Sequence, residues 1–363
     1  MTKVTSIFET TNEGYKTGKY PLFCGEPVCL LDSINSPHPE LFAFYEKQMA
    51  QSWKWDEVSL NQDRMDMLSA NKDYADLMVD TLLYQWSIES VASNSILPLF
   101  APFISSPELS ALFTEVTRME VIHGLCYSHI VQQTLQNPKD ALSKAMNLQE
   151  SIERGSKIIE VFDHLAEVGG LVRAGLLSRE SDEAKKAVFL GMVNLYILER
   201  ISFMASFAVT FAISELGIFQ GIGKLVALIA RDELHVHAAS DKVIVKSLMR
   251  DWKDLYLEIK PDIDVMLNED VQIELDWNKY LFENRSCVGL TRGLLDDWVK
   301  YMAKDLYTTL GVEMVDVVKE NPLPYMDYYL DLDSTQTAPQ ESDVTSYLLD
   351  SVKSTLNDEE LEF

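Results

Sequence analysis

Glu120 and His123 stand three residues apart in Glu120-Val121-Ile122-His123-Gly124-Leu125-Cys126-Tyr127, and Tyr127 follows four residues after the histidine. At about 100° per residue, Glu120 and His123 share one face of a helix and Tyr127 lies close to His123 on that face. A carboxylate and an imidazole so placed can hold one transition-metal ion from a single helix, with the phenol near enough to feel it. One Glu-x-x-His also arises by chance. The reading therefore depends on whether other helices bring matching donors.

Three further acids sit among apolar neighbours: Glu89 in Trp86-Ser87-Ile88-Glu89-Ser90-Val91-Ala92, Glu199 in Leu195-Tyr196-Ile197-Leu198-Glu199-Arg200-Ile201, and Glu233 in Asp232-Glu233-Leu234-His235-Val236-His237. Any one of them is read equally well as a salt-bridged or half-exposed acid. Buried carboxylates are costly unless paired or bound to metal, so four on four long helices, two with a histidine nearby, form a pattern. A Glu from each of two helices with Glu and His from each of two others is the arrangement of ferritin-like di-metal carboxylate bundles.

The elements that must position these donors are helices. The pattern predicts them at 39–55, 66–97 (broken by Pro98), 106–136 (capped by Ser106, with Pro107 in the first turn), 138–166 (ended by Gly169-Gly170), 181–215, 219–249, 263–284 and 288–311. No strand pair or repeat stands out. Thirty-residue helices that are apolar on several faces belong at the centre of a bundle. The chain reads as all-α: residues 1–330 form the helical domain, with 1–37 as an irregular N-terminal arm. Residues 331–363 form an acidic tail that ends on Phe363 and is too polar to order itself.

Composition sets the outer limits. Of 363 residues, 47% are hydrophobic and 24% charged, and the net charge of −26 argues against nucleic acid as main partner, since phosphate binding needs a basic surface. No run of eighteen apolar residues predicts a membrane span, and polar residues 1–21 do not read as a signal peptide. The four cysteines, Cys24, Cys29, Cys126 and Cys287, lack CxxC spacing and read as reduced thiols of a cytosolic protein. Gly221-Ile222-Gly223-Lys224 lacks the spacing of a phosphate loop and reads as a helix start.

Over nearly its full length the chain resembles the small, radical-generating subunit of class I ribonucleotide reductase. The motifs carrying the resemblance begin with Pro21-Leu22-Phe23-Cys24-Gly25, Trp53-Lys54-Trp55-Asp56-Glu57-Val58 and Tyr84-Gln85 before Glu89. They continue through Glu120 and His123 to Tyr127-Ser128-His129, Glu199 with Phe203 and Phe207, and Ile229-Ala230-Arg231-Asp232-Glu233. Tyr280-Leu281-Phe282, Val288-Gly289-Leu290 and Thr345-Ser346-Tyr347-Leu348 complete them.

The resemblance implies that Glu89, Glu120 and His123 bind one metal, and Glu199, Glu233 and a following His a second. It implies that reduced metals react with O2, or with an oxygen species delivered by an activase, to oxidise Tyr127 to a stable tyrosyl radical. Phe203, Phe207 and Ile229 would wall off the radical, although core packing explains them equally well. Trp53, Asp232 and Tyr347 would relay the oxidising equivalent to the large subunit, which docks on the C-terminal tail. A homodimer in the cytoplasm is also implied.

Two departures from the family pattern stand out. Glu89 replaces the commoner Asp, as in branches of which some hold manganese-iron sites. Iron in both sites is the first expectation, with Mn/Fe or Mn/Mn as alternatives. The family's His three residues after its Glu is Val236 here. On a regular helix the second residue after Glu233 is rotated by about 200° and the fourth by only about 40°, which favours His237 with one extra residue absorbed as a π-bulge. The alternative is a one-residue deletion that makes His235 the ligand. Three other readings compete with the family's function. A di-iron oxidase or desaturase has no need of Tyr347, a ferritin-like metal store has no use for Trp53, and a metal-free interaction protein holds no metal.

Overall fold

The computed structural model describes residues 10, 12–28 and 30–331, so Cys29, Tyr347 and nearly all of the acidic tail lie outside the described residues. In chain order the helices are α1 (Gly14–Thr17), α2 (Pro39–Ala50), α3 (Asn61–Ser69), α4 (Lys72–Phe100), α5 (Pro107–Thr134), α6 (Pro138–Asn147), α7 (Gln149–Arg173) and α8 (Asp182–Ile197). They continue with α9 (Met204–Ser214), α10 (Gln220–Asp232), α11 (Ala238–Asp251), α12 (Lys253–Phe282), α13 (Arg292–Leu310) and α14 (Tyr325–Leu330). Two five-residue π segments, Leu198–Ser202 and Glu233–His237, join α8 to α9 and α10 to α11. Among the described residues the only β pairing is two isolated bridges. The architecture is the all-α bundle expected.

The centre is built from α4 packed on α5, with α9 against α4 and α10 against α9. Outside these, α8 contacts α7 and α11, and α12 pairs with α13. The stretch Asp182–Ser214 is long and apolar enough to cross a bilayer, yet nearly all of it is buried inside the bundle as a core helix. Cys24, Cys126 and Cys287 are buried free thiols.

Local chemistry sets most helix ends. Asn71 caps α4 by accepting from the Asp73 N–H at 2.8 Å, and Ser106 caps α5 through the Leu109 N–H with Pro107 in the first turn. The glycine-rich start of α10 is held by two buried carboxylates of α3: Asp66 accepts from the Phe219 N–H and Asp63 from the Ile222 N–H, both at 2.8 Å. That placement accounts for Gly221-Ile222-Gly223 as a helix N-terminus.

Several predicted boundaries differ. The 66–97 helix is two helices separated at Asn71, and Pro98 lies inside the last turn of α4, which runs on to buried Phe100. Near a C-terminus a proline removes only one hydrogen bond, which the packing of Ile96 and Phe100 outweighs. The 138–166 helix breaks at Leu148, and Gly169-Gly170 lies within α7 instead of ending it. Gly169 is there for close packing: a Cβ would meet Pro102 Cγ at 3.2 Å. α12 begins at Lys253, ten residues earlier than predicted, and runs through Pro261; buried Tyr256, whose hydroxyl donates to the Leu310 carbonyl at 2.7 Å, anchors the early turns. The N-terminal arm is irregular apart from α1, and it is stitched to the bundle by Cys24 N–H to Phe103 O at 2.7 Å and Ser105 N–H to Leu22 O at 2.9 Å.

Candidate metal centre

Four helical stretches each send carboxylates to one point in the core. Glu89 comes from α4, Glu120 and His123 from α5, Glu199 from the first π segment, and Glu233 and His237 from the second. All six side chains are at most 1% exposed. They form two overlapping groups, Glu89/Glu120/His123/Glu233 and Glu120/Glu199/Glu233/His237, and within each group one donor atom per residue lies within 4.8 Å of the others. Glu120 and Glu233 belong to both, so they stand between the two positions. The two π segments face each other across the site, and such bulges concentrate where a helix must aim side chains at a functional site.

The geometry is that of a cluster aimed at cations. His123 Nδ1 lies 2.7 Å from Glu233 Oε1, 3.6 Å from Glu89 Oε2 and 3.8 Å from Glu120 Oε2. His237 Nδ1 lies 2.8 Å from Glu120 Oε1 and 3.0 Å from Glu233 Oε2. Both oxygens of Glu89, Glu120 and Glu199, one of Glu233, and His123 Nδ1 nevertheless lack a hydrogen-bond partner of good geometry. Orphaned buried carboxylate oxygens are costly, and a shared cation satisfies them all. Charge gives the same count: four ionised carboxylates beside two neutral imidazoles carry four negative charges, which two divalent ions neutralise. The mix of hard oxygen and imidazole nitrogen donors suits iron or manganese.

Titration behaviour follows from this crowding. Burial and the neighbouring Glu120 charge raise Glu89 well above the ordinary carboxylate range, and burial with Glu233 and Glu120 does the same to Glu199. Burial opposes charge on His237, but Glu233 and Glu120 outweigh it and push its pKa up to about 10. His123 is likewise raised, by Glu89 and Glu233 against burial.

Behind His123 lies a buried hydrogen-bonded line to Asp232 and Trp53. Its Nε2 is 3.3 Å from Asp232 Oδ2, and the same oxygen accepts from Trp53 Nε1 at 2.7 Å. The Trp53 and His123 rings stack with centroids 5.8 Å apart. Asp232 is buried, which by itself raises its pKa, but His123, Arg231 and Trp53 together hold it below the usual value. A carboxylate on the outer nitrogen fixes the tautomer and aim of a ligating histidine.

Tyr127 is fully buried on α5, four residues past His123, and its hydroxyl has no partner. Burial, reinforced by the Glu89 charge, raises its pKa well above the ordinary phenol value. Phe203, Phe207 and Ile229 are fully buried in the same core, with the two phenyl rings stacked at 5.7 Å. His235 leaves the cluster: its Nε2 is 2.6 Å from the Leu330 carbonyl oxygen.

Sequence reasoning missed three supporting residues. Arg231 holds Asp232 Oδ1 at 3.2 Å and the Gln51 carbonyl at 2.8 Å. Arg154, buried under Tyr84 and paired with Glu274 at 2.6 Å, donates to the Ser202 carbonyl at 2.5 Å and so secures the end of the first π segment. Asp241, one turn after His237, is buried with an unpartnered oxygen. The signal available for Arg154 was its place in the apolar stripe Ile158, Phe162 and Leu165 of one helix face.

A helical bundle with two overlapping carboxylate–histidine sites in its core belongs to the ferritin-like di-metal class. The family model described as "Ribonucleotide reductase, small chain" matches residues 32–322, and this chain belongs to that family. It is 27% identical to subunit beta of ribonucleoside-diphosphate reductase from Buchnera aphidicola, covering 94% of this chain and 95% of the relative, and 27% identical to subunit beta of ribonucleoside-diphosphate reductase 1 from Escherichia coli over 98% of each. Its fold matches a ribonucleotide reductase subunit structure from Clostridium botulinum with a TM-score of 0.78, 20% identity, and coverage of 92% of this chain and 99% of that one. A dimanganese(II) NrdF structure from Streptococcus sanguinis matches with a TM-score of 0.66 at 16% identity, over 83% of this chain and 99% of that one. The protein is the small subunit of ribonucleotide reductase, an oxidoreductase.

Proposed function

We propose that this subunit generates and stores a tyrosyl radical at Tyr127 for a ribonucleoside-diphosphate-reducing large subunit. The observation that carries this is a fully buried, partnerless phenol on the helix that also supplies Glu120 and His123. In this reading Glu89, Glu120 and His123 hold one ion, Glu199, Glu233 and His237 the other, and Glu120 and Glu233 lie between them. Two iron ions fit the donor set, and the dimanganese(II) structure from Streptococcus sanguinis supports Mn/Fe or Mn/Mn as the alternatives. When bound, the metal pair supplies the oxygen-derived oxidant.

The residues of the chain do the rest. Tyr127 would give up one electron and its phenolic proton, both to that oxidant, to become a neutral phenoxyl. Its raised pKa disfavours loss of the proton alone, so the two leave together. Phe203, Phe207 and Ile229 keep water and reductants from the radical. His123, Asp232 and Trp53 form the inner part of the relay, and Asp232, held as an anion, can take the indole proton as Trp53 is oxidised. Tyr347 and the segment 331–363 continue the relay and dock on the large subunit, and two copies of this chain pair in the cytoplasm.

Electron paramagnetic resonance of aerobically metal-loaded protein tests the reading. A tyrosyl signal is expected in the wild type and none in Tyr127→Phe at equal metal content. The same signal in the variant would move the radical to another tyrosine.

A further inference from the structure

The second π segment carries tethers on both of its sides. Glu233 and His237 point into the metal centre, while His235 between them points outward, with Nε2 2.6 Å from the carbonyl oxygen of Leu330. The His235 carbonyl in turn accepts from Lys47 Nζ on α2 at 3.0 Å. Leu330 ends α14, whose own anchors are Tyr325, donating to the Ala208 carbonyl at 2.9 Å, and Tyr329, stacked on Phe211 at 4.1 Å and donating to Glu215 at 2.9 Å. α14 packs on α9 and α10, and the chain from 331 onward starts at its end.

A helix with one residue too many can place the bulge at more than one position, and each placement rotates the intervening side chains by about 100° per residue. With the bulge at Glu233–His237, His237 faces Glu120 and His235 faces Leu330 together. A shift of the bulge loses both contacts at once. We infer that His235 is a positioning residue: by gripping the Leu330 carbonyl it holds the π segment in the register that presents His237 to the second metal position, and it thereby links the root of the C-terminal segment to that position. The inference rests on the metal-binding reading above. Because linkage is reciprocal, filling the second position must tighten the hold on α14, and gripping α14 must favour filling.

The test compares wild type, His235→Phe, which keeps the bulk but loses the donor, and His235→Gln, which restores an N–H. Mn2+ binding is titrated to each full-length chain, and hydrogen exchange is followed in residues 325–331 with and without Mn2+. In the wild type, Mn2+ is expected to slow exchange in 325–331 by at least about fivefold, the lower end of usual coupling. In His235→Phe that slowing should vanish, with weakening of the second Mn2+ site by a similar factor and an unchanged first site, and His235→Gln should recover much of both. If His235→Phe leaves second-site affinity and the slowing within about twofold of wild type, the positioning role is overturned. Equal loss in His235→Gln and His235→Phe also overturns it, since bulk and shape would then be what matters. Failure of the wild type to bind Mn2+ or any divalent ion would instead remove the metal reading on which the inference stands.

Discussion

Replacing Asp232 by Asn changes one oxygen to an amide group and removes one charge from a side chain whose every neighbour depends on both. Trp53 Nε1 and His123 Nε2 both bond to Oδ2, while Arg231 reaches Oδ1 through Nε at 3.3 Å and a terminal nitrogen at 3.2 Å. All of these partners are donors, so an asparagine fits neither way round. With its oxygen toward Trp53 and His123, its NH2 faces Arg231; flipped, its NH2 faces two N–H groups. The first orientation is the cheaper, because Arg231 keeps the Gln51 carbonyl at 2.8 Å. It forfeits a charge-assisted bond in a buried place, a loss of about 2–3 kcal/mol. The same change removes the anion behind His123, and outer partners of this kind govern about 10–100-fold in metal affinity. Urea unfolding of metal-stripped protein and Mn2+ titration measure the two effects, and both are expected in Asp232→Asn. Unfolding free energy within about 0.5 kcal/mol of wild type, together with unchanged affinity at the position held by His123, would refute the argument from the donor count.

Two other outcomes are expected. His237→Ala should lower saturating metal content from about two ions per chain to about one, whereas His235→Ala should stay near two at saturation, as measured by elemental analysis; the reverse pattern would assign the wrong histidine. Asp270, buried beside Glu274, has its pKa pushed from 3.8 up to about 7, chiefly by burial and then by Glu274. Its folded form binds a proton that its unfolded form releases, so it lowers stability increasingly as pH rises from about 4 to about 7, by at most about 4 kcal/mol at 1.36 kcal/mol per pH unit. Asp270→Asn should therefore be the more stable protein above pH 7 and equal to wild type near pH 4, and a pH-independent difference in Tm would contradict this.

Long helices were legible because apolar residues recur at helical spacing over thirty positions, and a buried acid within such a stripe announces itself. The errors came from local breakers. Pro98 and Gly169-Gly170 read as stops, yet both lie within helices, and α12 runs through Pro261 from a start ten residues before the predicted one, because burial of Phe100, the contact of Gly169 with Pro102, and the anchoring of Tyr256 supply more free energy than one missing hydrogen bond removes. Rotation arithmetic placed His237 on the face of Glu233, and the structure puts it there by winding Glu233–His237 as a π segment. The other π segment, Leu198–Ser202, left no trace in the sequence, since nothing around Glu199 marks an extra residue. Arg154 and Asp241 escaped notice for a related reason: a polar residue in an apolar stripe reads as surface until its partner on another helix is known.

The irregular backbone and the buried charge belong to one arrangement. A regular α-helix repeats its faces every 3.6 residues, so Glu233 and His237 on an unbroken helix would stand about 40° apart in rotation and about 6 Å apart along the axis. Winding the segment as π brings His237 Nδ1 to within 3.0 Å of Glu233 Oε2 and turns His235 out to Leu330. π winding is rarely adopted without compensation, and buried like charges repel, so neither feature persists for stability alone. Each is held by rigid surroundings: Arg154 on the carbonyl of Ser202, Lys47 on that of His235, and Asp232 behind His123. These three supports come from α7, α2 and the end of α10, and the helices that carry the donors do not provide all of them. The donor geometry is therefore a property of the whole bundle, which is why a single Glu-x-x-His says little and the full set of helices says what the subunit is for.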